Sequence, residues 1–114
     1  MPFIETKTSA SVSKEQLERL KAAFAKAIEI IPGKSERWLM INTVSECNMA
    51  FAGDTTTPSA MVKVEIFGKA RTEEYDRLTE AICRCVKDIL GVPSDRIYVR
   101  YEEVEHWGCD GVNF

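Results

Sequence analysis

The chain carries one apolar pattern twice, and this limits its folds more than any other feature. Apolar residues stand at Leu17, Leu20, Phe24, Ala27, Ile28 and Ile31, and return with identical spacing at Tyr75, Leu78, Ile82, Cys85, Val86 and Ile89. Both series follow one face of an α-helix. Ser13 and Gln16 are spaced as a capping box before the first helix. Thr72 opens the second, followed by Glu73 and Glu74, acids that suit a positive helix N-terminus. Gly33 and Gly91 are placed to end the two helices. A β-rich run precedes each helix, at 3–8 and 61–67, and another follows each turn, in KSERWLMI and VPSDRIYVRY. Both later runs are introduced by Ser, an acid and Arg, so the halves match through the turn.

Each half therefore reads as strand, helix, strand. A crossover helix makes the two strands of a unit parallel and the connection right-handed. Two such units, at about 2–44 and 60–102, predict a two-layer α+β domain with a four-stranded mixed sheet and both helices on one face. The other face has no cover within the chain. Trp38, Leu39, Met40 and Ile41, and again Ile97, Tyr98 and Val99, are apolar at consecutive positions. That is the pattern of a sheet buried on both sides, and a further copy of the chain is the expected cover. Segment 45–58 reads as the long loop joining the halves, and 105–114 as an irregular or edge-strand tail.

Composition narrows the function classes. At 114 residues the chain is one domain, 1–114, long enough to bury a core without disulfides or metal. With 15 basic and 18 acidic residues, net charge −3 and no long block of either sign, neither nucleic acid nor a membrane surface is an expected partner. No stretch approaches the roughly 20 apolar residues of a bilayer span, and MPFIETKTSA has neither a basic nor an apolar leader region, so a cytoplasmic protein is expected, or one secreted without a signal peptide. The four cysteines read as reduced thiols, since Cys83 and Cys85 fall on different helix faces and Cys47 and Cys109 lack a Cys-x-x-Cys partner. With His106 as the only histidine, no metal site and no cofactor are expected.

Three places carry residue types suited to chemistry. Pro2 follows Met1 at a strand start, where a proline is ordinary because the first residue tolerates a missing N–H; with Met1 removed it becomes a secondary amine whose pKa burial would lower into the range of a useful base. Lys34 follows Pro32 and Gly33, as a solvated lysine after a helix stop or as an anchor for an anionic substrate. Tyr98 and Arg100 share one face of a strand, an exposed edge pair unless the guanidinium meets a carboxylate.

Taken together, MPFIETKTS at the start, GKSERW after the first helix, NMAFAGDTTTPSA in the central loop, EIFGKA before the second helix, DRIYVRY in the last main strand and WGCDGVNF at the tail give a chain that resembles the macrophage migration inhibitory factor and D-dopachrome tautomerase family nearly end to end. The resemblance implies a homotrimer whose three sheets form a central barrel, with three active sites at subunit interfaces. It implies keto-enol tautomerisation of phenylpyruvate-like 2-oxo acids, with Pro2 as catalytic base after loss of Met1. It further implies that Lys34 would bind the substrate carboxylate and depress the proline pKa, and that Tyr98 would arrive from the neighbouring subunit. Phe3, Trp38, Phe67, Trp107 and Phe114 would form the slot for the substrate ring, with Arg100 a further substrate-binding cation.

Departures from the family pattern bear on specificity. Arg100 stands where an asparagine is usual and Phe67 where a small aliphatic is usual, which favours smaller or doubly anionic 2-oxo acids. Ser59 and Val62 occupy the places of the family's Cys-x-x-Cys, so no redox activity is expected. The other readings are a cytokine-like binding protein with a vestigial pocket and a host receptor as partner, and a related decarboxylation or dehalogenation.

Overall fold

A computed structural model describes residues 1–114. The elements are β1 (Pro2–Thr8), α1 (Lys14–Ala27), β2 (Met40–Val44), β3 (Ala60–Phe67), α2 (Thr72–Leu90), β4 (Ile97–Val104), and a terminal pair β5 (Gly108–Cys109) and β6 (Val112–Asn113). The four long strands form one mixed sheet in the order β2-β1-β3-β4, with parallel outer pairs and an antiparallel centre. This is the expected two-layer α+β architecture. The repeat holds at the level of register: Phe3 pairs with Met40, and 58 positions further along for both partners Met61 pairs with Tyr98.

The Ser-acid-Arg motif does not follow that register. With the strands matched, the single helical turn Glu36–Trp38 corresponds to Ser94–Arg96, so Trp38 stands opposite Arg96. The shared motif lies one place out of step between the halves, and the halves have separate chemistry there: an exposed indole in one, a nearly buried guanidinium in the other.

Local chemistry sets the helix ends. The Ser13 hydroxyl accepts from the Gln16 N–H at 3.1 Å while the Gln16 side chain accepts from the Ser13 N–H at 2.8 Å, the expected capping box. The second helix begins at Thr72, and the buried Glu74 carboxylate accepts from the Arg71 N–H at 2.8 Å. That hydrogen bond, before the Arg71 charge, holds the Glu74 carboxyl below its usual range. Gly91 closes α2 in the left-handed region at φ 73°, donating to the Lys87 carbonyl. Gly33 does not close α1, as the sequence suggested. The helix ends at Ala27 and passes through a tight turn at Ile28–Ile30; Gly33, at φ 81°, instead reverses the chain just ahead of Lys34.

The core lies between the helices and one sheet face. Leu20, Phe24 and Ile28 of the first half and their equivalents Leu78, Ile82 and Val86 are fully buried, against Ile4, Val62, Val64 and Ile66 from the central strands. Burying side chains of this size contributes about 1.5–3 kcal/mol each. Leu17 and Tyr75, at the margins of the stripe, are only partly covered.

The opposite face corrects the expectation of apolar cover. The strands alternate cleanly: Ile97, Val99 and Tyr101 lie on the helix side, whereas Tyr98, Arg100 and Glu102 face away. Trp38 and Leu39 precede β2 and do not belong to a continuous apolar strand. Along the central strands the open face carries Glu5, Lys7, Lys63 and Glu65, with Lys63 and Glu65 paired at 3.0 Å and Asn42 donating to Glu5 at 3.1 Å. Half-buried Phe3, Met61 and Phe67 share this face, so it mixes charge with apolar surface and is not the continuous apolar layer expected. Met40, Val44 and Tyr98 are exposed apolar side chains on the two edge strands, where unpaired backbone groups also offer themselves to another chain. The tail corrects the sequence reading too: Asp110 and Gly111, both at positive φ, make the two-residue turn of a small separate hairpin.

Candidate active site

The amino end of the chain lies where β1 begins and β3 finishes. Pro2 stands opposite Ile66, and the Phe67 N–H donates to the Met1 carbonyl at 3.0 Å. Pro2 is buried, and Phe3 is directed to the open sheet face. The turn made by Pro32 and Gly33 delivers Lys34, whose Nζ donates to the Phe67 carbonyl at 2.8 Å. One residue, Phe67, thus ties both the chain start and the lysine to the end of β3. The α-amine of the full chain belongs to Met1 and is lowered to about 6, first by burial and then by the Lys34 charge.

A cleft of about 390 Å³ opens at this point. Its floor is Met1, Pro2 and Phe3, and its walls include Trp38, Met40 and Glu65. The terminal hairpin supplies Trp107, Gly108 and Cys109 and is closed by the Phe114 N–H donating to the Trp107 carbonyl at 3.0 Å. Phe67 and Phe114 lie against each other with ring centroids 6.2 Å apart. Phe67 borders a second hollow beside Glu103 and Glu105, not the main cleft.

The chain therefore brings together Pro2, Phe3, Lys34, Trp38 and Trp107, with Phe67 and Phe114 adjoining. It does not bring Tyr98 or Arg100 to them. Tyr98 pairs with Met61 whereas Pro2 pairs with Ile66, and that separation along β3 corresponds to about 17 Å. Tyr98 is 58% exposed and rests on the Phe51 ring at 5.1 Å. Arg100 lies on the same open face, opposite Lys63.

Sequence reasoning missed Met40, Glu65 and Cys109 in the cleft wall. The first two were within reach of strand parity, because Phe3 pairs with Met40 on one side and Glu65 on the other. It also missed Arg96, whose side chain is 11% exposed and donates to the carbonyls of Phe51, Asp54, Thr57 and Pro58. The guanidinium lies over the Phe51 ring at 5.2 Å, and the Tyr98 ring meets Phe51 at a tilt of 57°. Asp54, which also pairs with Arg96, is held below the usual carboxyl range by hydrogen bonds from Thr57 and Thr56.

The family described as macrophage migration inhibitory factor matches residues 1–113. A curated relative, the macrophage migration inhibitory factor of Xenopus laevis, is 28% identical over 119 residues, covering 100% of this chain and 99% of its own. Among solved structures, that of Leishmania major MIF2 is 32% identical and covers 100% of this chain and 97% of its own, with a TM-score of 0.93. The homologue from Prochlorococcus marinus is 27% identical and covers 98% of each chain, with a TM-score of 0.83.

Proposed function

The chain belongs to the macrophage migration inhibitory factor family of the tautomerase superfamily, and we propose that it is a keto-enol tautomerase of phenylpyruvate-like 2-oxo acids. The observation that carries this reading is the placement of the amino end in an aromatic cleft beside Lys34, with its amine lowered to about 6. Removal of Met1 moves the amine one residue inward, to the buried Pro2. Burial and the lysine would both disfavour the protonated form there, which supports a free amine at Pro2 near neutral pH.

In this reading the Pro2 nitrogen takes the proton from the carbon next to the substrate ketone. Negative charge then develops on the ketone oxygen, which takes up a proton to complete the enol. Lys34 supplies positive charge for the carboxylate and the developing enolate. The substrate ring rests against Phe3, Trp38 and Trp107, with Phe67 and Phe114 closing the adjoining wall.

Tyr98 and Arg100 enter the site only from another copy. We propose a homotrimer joined through the edge strands β2 and β4, which would set the Tyr98 end of one sheet beside the Pro2 end of the next; the exposed apolar residues on those edges support it. The direct test is intact mass to establish loss of Met1, followed by the ultraviolet signal of phenylpyruvate enol. Protein that begins at Pro2 and fails to accelerate enol–keto exchange would overturn the assignment.

A further inference from the structure

We propose that Glu65 makes the cleft bipolar, so that it selects ligands with a carboxylate at one end and a cationic or hydrogen-bond-donating group at the other. This deepens the reading of the cleft as the substrate site and rests on it. Two charged side chains reach the amino end from different parts of the fold. Lys34 comes from the turn after α1 and is tied to the Phe67 carbonyl. Glu65 stands on the open sheet face, in register with Phe3, and forms part of the cleft wall. Lys34 lies beside the cleft at the Phe67 carbonyl and Glu65 in its wall two residues earlier on β3, so a 2-oxo acid whose carboxylate meets Lys34 and whose ring lies along Phe3 and Trp38 would bring its far substituent to the Glu65 side.

Glu65 is available for that role although it is paired. Lys63 approaches one oxygen, Oε1, at 3.0 Å, and a carboxylate has two oxygens able to accept several hydrogen bonds. Lys63 is also shared: it stands opposite Glu5, and Glu5 and Glu102 both act on its charge. The face is mixed in charge, with Lys7 3.9 Å from Glu5 and Arg100 in register with Lys63, so it is the second Glu65 oxygen, not a net negative cluster, that is left for a ligand in the cleft. A para-ammonium or para-hydroxyl substituent gains a charge-assisted hydrogen bond there, whereas a second carboxylate meets a like charge. This opposes the preference for doubly anionic substrates suggested by Arg100, which reaches the site only from another copy, and the order in which the probes bind decides which of the two charges governs it.

Trp38 and Trp107, the only two tryptophans, both line the cleft and report binding by fluorescence. The test uses full-length protein from which Met1 has been removed and three non-reacting probes: 3-phenylpropionate, 3-(4-aminomethylphenyl)propionate and benzene-1,4-dipropionate. The parent is expected to bind the ammonium probe most tightly and the dianion least. Glu65→Gln is expected to weaken the ammonium probe about three- to tenfold, tighten the dianion, and leave 3-phenylpropionate within about twofold; Glu65→Asp keeps the parental order. An order unchanged in Glu65→Gln, or an equal loss for all three probes, overturns the proposal, the latter by showing a purely structural role. Binding is read without turnover, so failure of the proline mechanism leaves this result intact, and the reverse also holds.

Discussion

The Lys34 ammonium donates to the carbonyl of Phe67 at 2.8 Å, and the N–H of that same Phe67 donates to the carbonyl of Met1 at 3.0 Å. The lysine and the amino end are therefore fixed to one residue, and the charge of one acts on the protonation of the other. The full chain with Met1 retained should show an α-amine that titrates near 6, measured by the pH dependence of amine acylation. Lys34→Ala should raise the midpoint only part of the way to the ordinary 8.0, because burial is the larger cause. The sign for stability follows from linkage: between about 6 and 8 the unfolded chain binds more protons at this amine, so this group makes the fold more stable as pH rises through that window.

Pro2→Gly, with Met1 still removed, should lower the enolisation rate by about 10²–10⁴, the usual size of a positioned general base. Retention of Met1 should do the same by turning the proline nitrogen into an amide. Steady-state ketonisation of phenylpyruvate checks both, and parental rates in either form would contradict a proline base.

Arg96→Met should destabilise the fold by about 1–3 kcal/mol, because it strips partners from half-buried carbonyls of the long loop. Chemical denaturation measures the loss. Arg96→Lys should recover part of it, since a single ammonium cannot span the carbonyls of Phe51 to Pro58 as the planar fork does. A stability change within about 0.5 kcal/mol, the range of ordinary surface substitutions, would show that the loop holds itself.

Sedimentation equilibrium should give a trimer. Val44→Glu, which places a charge on the exposed edge strand β2, should shift the equilibrium toward monomer while leaving the circular dichroism spectrum unchanged. A concentration-independent monomer for the parent chain would remove Tyr98 from the site.

Acidification should weaken the long loop before the core. Asp54 is held below its usual range by its threonine hydrogen bonds, so its contribution is present above the ordinary carboxyl pKa and is lost as pH falls below it. Amide exchange of Thr56 and Thr57 followed down a pH series, and corrected for intrinsic rates, should show their protection falling first. Loss of core protection at Val64 or Phe24 at the same pH would contradict this.

The repeat, the two helices and the four-stranded sheet were legible in the residues because amphipathic spacing and capping chemistry act within a few positions. Leu20 and Leu78, or Ser13 and Gln16, take their roles from near neighbours. The family was legible for a related reason: short fragments such as DRIYVRY and EIFGKA kept their order along the chain. Three features depended on tertiary structure. The open sheet face was misread because apolar runs around Trp38 and Tyr98 do not reveal where a strand starts, and one residue of offset exchanges its faces. Arg96 was invisible as a clamp because its four carbonyl partners lie 38–45 positions away. Glu65 carried no role in the sequence, and register alone set it beside Phe3 in the cleft wall. Local periodicity determines which elements form; which side chains share a cleft depends on strand register and loop closure, and those are settled only when the whole chain packs.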